Sequence, residues 1–187
     1  MRNALVVVGI GATVLLVGGY FASQLGRQSP EEGSTMRDME NTFTLTSAAF
    51  ENGGEIPATY TCDDKNISPP LSWGRVPEGT KSLAFIMDDP DAPSGTWDHW
   101  VMFNIPPSVS GIEEGREPKG VSGKSSFGRG GYGGPCPPSG VHRYFFHFYA
   151  LDAELDLPEG ASKTEILAAT EGHILAQAEL MGKYERQ

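Results

Sequence analysis

Three short segments gather the side chains able to do chemistry, and each is stiffened by proline, glycine or neighbouring indoles. Asp88-Asp89-Pro90-Asp91-Ala92-Pro93 holds three carboxylates, Trp97-Asp98-His99-Trp100 holds an imidazole between indoles, and a Gly-Pro run from Gly133 ends in His142-Arg143-Tyr144. Side chains alternate along an extended chain, so His142 and Tyr144 share a face while Arg143 points the other way, and His99 is separated from Asp98 by the same rule. Two imidazoles, a phenol and carboxylates can then converge on one pocket. Imidazole N–H and Tyr O–H groups donate hydrogen bonds, a protonated His adds charge, and glycine-rich backbone can turn N–H groups toward an oxyanion. This set suits capture of a small anion. Asp89 cannot attract an anion while ionised; it can orient a histidine, share a proton with the ligand or meet an ammonium group.

The same residue types permit acid–base catalysis. Ser139 does not stand in a G-x-S-x-G elbow, however, and Cys136 lies between prolines, so no catalytic residue is assigned. Asp89, Asp91, His99 and His142 could ligate a metal, but H-x-H and H-E-x-x-H spacings are missing and neither a metal nor a cofactor is expected. Taken singly, D-P-D-A-P is a turn and a lone His a hydrogen-bonded structural residue. The ordered combination favours a pocket. His147 and His173 lack such company and are read as structural.

These groups need short strands to hold them. Strand-like runs at 43–46, 83–87, 97–105 and 143–151 alternate with turn clusters, and helical crossovers between them are missing, which predicts an antiparallel β-sandwich. Residues 144–149 are apolar or aromatic on both faces, the pattern of a central strand covered on each side. Near the C terminus Ser162 and Glu165 form a capping box. Leu167, Thr170, Ile174, Ala178 and Met181 continue at helical spacing and predict a helix with Gly172 in its middle.

D-P-D-A-P, then W-D-H-W, then G-P-C-P-P-S-G-V-H-R-Y resembles the signature of the phosphatidylethanolamine-binding protein family, in its bacterial and archaeal Raf kinase inhibitor-like branch. Thr61-Cys62-Asp63-Asp64-Lys65-Asn66-Ile67-Ser68-Pro69-Pro70-Leu71-Ser72-Trp73 and the run from Glu171 to Leu180 are similar to that branch too, which commonly has Gly where Asp64 stands. The resemblance spans about 43–184. It implies two antiparallel sheets and a pocket for phosphate-like anions or phosphorylated head groups, with Asp89, Pro93, Trp97, His99, Pro137, His142 and Tyr144 at ligand-binding positions and Asp91 and Cys136 in support. The segment between Pro138 and His142 is shorter than in the animal branch, and Cys136 falls where that branch often has Gly, so kinase inhibition is not carried over. A non-catalytic binding protein is the expected function. A module that binds or inhibits a protein partner is the alternative.

With 187 residues, the chain suits one domain with an appendage. A formal net charge of -10 argues against a nucleic-acid partner, because such binding rests on clustered Lys and Arg. From Ala4 to Ala22 there is no charged residue, and a run of this length nearly spans a bilayer core of about 30 Å. The expected organisation is therefore an N-terminal transmembrane helix or signal segment at 1–23, a flexible tether at 24–42 and a β-sandwich at 43–187. It would place the domain outside a cell membrane on a single-pass anchor, or secreted after signal cleavage. Cys62 and Cys136 could pair in that oxidising setting; two buried free thiols are the other reading.

Overall fold

The computed structural model describes residues 43–186. In chain order these form β1 (Leu45–Thr46), a 3-10 turn (Ala58–Tyr60), β2 (Leu71–Trp73), β3 (Ser82–Asp89), β4 (Trp97–Ile105), β5 (Gly111–Ile112), β6 (Val121–Ser122), β7 (His142–Leu151), α1 (Lys163–Thr170) and β8 (Ile174–Tyr184). Two sheets result, β1-β2-β5 and β6-β4-β3-β7-β8, with antiparallel pairing throughout. The two-sheet architecture expected from the strand pattern is present.

The strand period of two explains how the larger sheet is covered. Leu83, Phe85 and Met87 of β3, Trp100 and Met102 of β4, and Tyr144, Phe146 and Phe148 of β7 face the small sheet, meeting Leu45, Leu71, Trp73 and Ile112. Their alternates Ala84, Ile86, Val101 and Phe103 pack on the other face against Leu155, Ala161 and Ile166, the last from α1. All eight residues of β3 are buried, so it is the strand covered fully on both sides. In β7, Phe145, His147 and Tyr149 are only half-buried, because the layer that covers that face, Leu155, Ala161 and Ile166, centres on β3 and β4, so the expected cover on both faces of 144–149 is incomplete.

Two irregularities in the β3–β4 ladder redirect side chains. Met87 pairs with Trp100 but Asp88 pairs with Asp98, which leaves His99 as an extra residue on β4. A second shift lies between the Leu83–Ile105 and Phe85–Met102 pairs, at a stretch where Asn104 has φ 51° and bonds both the N–H and the C=O of Leu155, at 2.8 and 2.9 Å. Bulges of this kind kink a strand and change which face its residues occupy.

The C-terminal helix is shorter than its periodicity implies. Its capping box forms as expected, with Ser162 Oγ accepting from the Glu165 N–H and the Glu165 carboxylate accepting from the Ser162 N–H. The helix stops at Thr170, and Gly172, at φ 78°, takes the left-handed conformation that turns the chain into β8. Ile174, Ala178 and Met181 are thus on an edge strand, ten of whose eleven residues pair with β7, a register shift leaving out Leu175. That ladder outweighs the helical spacing of a few apolar residues.

The transmembrane part of the expected fold class is corrected. Among the described residues no helix is long and apolar enough to cross a membrane. The eight residues of α1 extend only about 12 Å, against about 30 Å of hydrocarbon. The segments 1–23 and 24–42, on which the anchor and tether expectations rest, lie outside the described residues. The fold class is mainly β with one C-terminal helix, and the single-pass membrane localisation is withdrawn with the helix that motivated it.

Helix α1 is fastened to the sheet by charge. Lys163 bonds Asp88 of β3 and reaches Asp98 of β4 at 3.1 Å, while His147 lies 3.5 Å from Asp88 and 3.2 Å from Glu179. Burial opposes ionisation of Asp88, but the bonds from His147 and Lys163 outweigh it and hold the carboxyl below its ordinary range. Lys163 likewise stays charged despite burial, through Asp88 and Asp98.

Cys62 and Cys136 are joined in a disulfide, 74 residues apart in sequence. The bridge ties the 61–66 turn to the Gly-Pro segment beside two other fasteners, Cys62 N–H to Pro135 O at 3.0 Å and Gly134 N–H to Asn66 Oδ1 at 2.8 Å.

Two outcomes are expected. Reducing the disulfide lowers unfolding free energy by up to about 4 kcal/mol, read as a shift of the urea midpoint with and without reductant, and the unreduced domain offers no alkylatable thiol. Lys163→Met costs about 2–3 kcal/mol, since it strands a buried carboxylate, and adding Asp88→Asn recovers part of that loss in the same denaturation assay.

Candidate functional site

The end of β3 delivers consecutive carboxylates to opposite faces. Asp88 goes to the helix side, where Lys163 meets it, and Asp89 goes to the side of the small sheet. There Asp89 Oδ2 accepts a 2.7 Å hydrogen bond from His142 Nδ1, and Oδ1 accepts one of 2.8 Å from the Asp91 backbone N–H. Both the Asp89 and His142 side chains are buried. His142 arrives from the first position of β7 on the same face as Tyr144, as alternation predicts, and Arg143 is exposed on the other.

Arg143 holds the carboxylate loop down. Its Nε and Nη2 donate to the two oxygens of Asp91 at 2.8 and 2.7 Å, and its backbone N–H adds a third bond of 3.0 Å to Oδ2. This clamp pushes the Asp91 carboxyl down to about 2, the side-chain bonds from Arg143 being the main cause. Asp91 therefore acts outside the pocket, as a brace.

His99 enters the pocket because of the β-bulge. Its Nδ1 donates to the Gly133 carbonyl at 2.7 Å. Burial holds the imidazole below its usual pKa, against the opposing pull of that bond and of Asp89. The carbonyl can only accept, so the neutral ring carries its proton on Nδ1 and leaves Nε2 as a lone pair.

Asp89, Pro93, Trp97, His99 and His142 line a cavity of about 240 Å³. Cys136 lines it too, so the disulfide forms part of its wall. Tyr144 is wholly buried beneath, its ring edge-on to His99 at 5.2 Å between centroids. Its hydroxyl makes no hydrogen bond of ordinary length among the described residues, but it interacts with the Asp89 carboxylate and the Cys136 backbone; burial, then Asp89, keeps the phenol protonated far above its ordinary value. Pro137 is buried and does not line the cavity; its neighbour Pro138 takes that place.

Sequence reasoning missed Phe127, Ala92, Ser94 and Pro138 among the lining residues. Phe127 is 43% exposed and sets its ring edge-on to both Trp97 and His99, at 5.5 and 5.6 Å. It approaches Gly133 so closely that a Cβ there would lie 2.3 Å from the Phe127 ring, which explains glycine at that position. One signal was available: a large aromatic stands alone between Ser126 and Gly128 with no apolar neighbours to bury it.

His147 and His173 stay outside this site. His147 belongs to the Lys163 network on the opposite face, and His173 pairs with Asp152 at 2.8 Å. Among the described residues no group of three His, Cys, Asp or Glu side chains is placed to hold a metal ion.

Comparison with known proteins connects this geometry to a family. Residues 46–185 match the family model described as phosphatidylethanolamine-binding protein. A relative from Methanothermobacter thermautotrophicus, described as a UPF0098 protein, is 60% identical over 77% of this chain and 99% of its own; one from Aquifex aeolicus is 51% identical over 75% and 86%. The crystal structure of a phosphatidylethanolamine-binding protein homolog from Chlamydia trachomatis superposes with a TM-score of 0.76 at 47% identity, covering 79% of this chain and 99% of that one. Escherichia coli YbcL, described as a member of the mammalian PEBP family, gives 0.72 at 34% identity over 78% and 99%. Over residues 46–185, from its first strand to its last, the chain belongs to the phosphatidylethanolamine-binding protein family.

Proposed function

We propose that this chain is a non-catalytic binding protein whose pocket takes a small oxyanion, phosphate or a phosphorylated head group. The observation that carries this reading is the convergence on one cavity of the Asp89–His142 pair and His99. His142 and His99 each commit Nδ1 to a protein acceptor, so Nε2 is the nitrogen left for a ligand.

One feature argues against turnover through a thiol: Cys136 is held in the disulfide and cannot serve as a thiolate. Inhibition of a kinase or protease, the alternative expectation, calls for a surface of protein dimensions. A cavity of about 240 Å³ fits a small molecule.

The sign of the pH dependence follows from the imidazoles. Protonation favours anion binding, and burial holds the free His99 below its ordinary value of about 6.5, so affinity rises as pH falls through and below that point. Calorimetric titration with phosphate and phosphorylethanolamine between pH 5.5 and pH 8 checks this. His99→Ala and His142→Ala are each expected to weaken binding roughly tenfold with the fold intact by circular dichroism, whereas His147→Ala leaves affinity unchanged. Undiminished affinity in the double His99→Ala, His142→Ala variant would place the site elsewhere. Steady release of phosphate from phosphorylethanolamine, abolished by His142→Ala, would make the protein a hydrolase.

A further inference from the structure

The pocket poses an electrostatic difficulty for an anion. Among the described residues no Lys or Arg lines it, while the Asp89 carboxylate does. The nearby cations are committed elsewhere. Arg143 grips Asp91 on the other face of β7, Lys163 grips Asp88 across the sheet, and Arg129 sits 5.8 Å over the Phe127 ring with bonds to the Gly130 and Tyr132 carbonyls.

Proton accounting sharpens the difficulty. Asp89 receives one donor on each oxygen, from His142 and from the Asp91 N–H, and a carboxylate has roughly four lone-pair sites, so it retains accepting capacity. His99 gives its proton to the Gly133 carbonyl, and its Nε2 is a bare acceptor while the ring is neutral. Asp89 and the Nε2 atoms of both neutral imidazoles, His99 and His142, therefore meet the ligand as acceptors. An oxyanion without a proton would face a negative carboxylate and lone pairs; one bearing an O–H would convert one of these contacts into a hydrogen bond.

We propose that the pocket selects a tetrahedral oxyanion carrying its own proton, a phosphomonoester or inorganic phosphate in the hydrogen-phosphate form whose P–OH donates to Asp89 or to His99 Nε2, and that it discriminates against fully ionised sulfate. This rests on the oxyanion reading above and adds to it the protonation state and the basis of selectivity. Phosphate esters have a second pKa of about 6, so the species that carries the proton becomes abundant as pH falls toward that value. Sulfate has no such proton, and a negative charge close to a carboxylate in a partly desolvated site is strongly disfavoured.

Calorimetry on the full chain with inorganic phosphate, phosphorylethanolamine, ethanolamine and sulfate tests the idea, the first two separating free phosphate from a head group. Phosphate is expected to bind on the order of 100-fold more tightly than sulfate. Asp89→Asn, whose amide can donate, should gain sulfate affinity and close most of that gap, provided circular dichroism shows it folded; the wild-type comparison needs no variant. Sulfate binding to the wild type within threefold of phosphate would overturn the inference and leave the oxyanion reading standing. Ethanolamine binding as tightly as phosphorylethanolamine would also overturn it, by assigning Asp89 to an ammonium group. If phosphate, phosphorylethanolamine and sulfate all failed to bind, the oxyanion reading itself would fall.

Discussion

Strand β3 meets water on neither face, and it ends in two carboxylates. A buried ionised carboxylate is tolerated only when it is paired and hydrogen-bonded. Because side chains alternate, Asp88 and Asp89 must find partners on opposite sides of the sheet, and the side chains that partner them come from distant parts of the chain. Lys163 supplies the first, bringing the helix onto the sheet; His142 and the Asp91 N–H supply the second, bringing the carboxylate loop and the start of β7 together. The same constraint organises a structural charge network on one face and the walls of the cavity on the other.

Rigidity around the pocket has several independent sources. The loop after β3 is stiffened by Pro90 and Pro93 and clamped through Asp91 by Arg143. The opposite wall is tied to the 61–66 turn by the disulfide and by the Gly134–Asn66 bond. The Tyr132 hydroxyl adds a bond of 2.5 Å to the Tyr60 carbonyl. Polar groups held in this way need not reorganise when a ligand arrives, which lowers the entropic cost of binding. An acidic protein can bind an oxyanion under these conditions if short-range donors and a shared proton do the work that a cluster of cations does elsewhere.

Much of this was legible in the residues themselves. Alternation assigned His142 and Tyr144 to one face and Arg143 to the other, since a strand period of two is a local property. The capping box marked the start of the helix for the same reason, and the strands at 97–105 and near 143–151 emerged at almost their observed bounds. Phe127 stood out only as a lone aromatic between Ser126 and Gly128; its place in the cavity wall was not legible, because that comes from a turn that folds it back over Trp97 and His99. The pairing of Cys62 with Cys136 had stayed open, and the end of the helix was misplaced. Gly172 was read as an interruption because spacing alone does not reveal that β7 offers an unpaired edge.

By itself, then, the sequence determined the local matters: the strand-rich pattern, the face each strand residue occupies within an unbroken run, the helix cap, and the set of residues chemically fit for an oxyanion pocket. Tertiary structure decided what depends on partners far away in the chain. It made His99 the extra residue of a bulge, so that His99 joins Asp89 while Asp98 joins Lys163; it sent Asp91 to Arg143 rather than into the pocket; and it converted 174–184 from an apparent helix into an edge strand. The physical reason is common to all three. Each outcome is set by a hydrogen bond or ladder whose other half lies dozens of residues away or on a neighbouring strand, and such a pairing has no signature in local spacing.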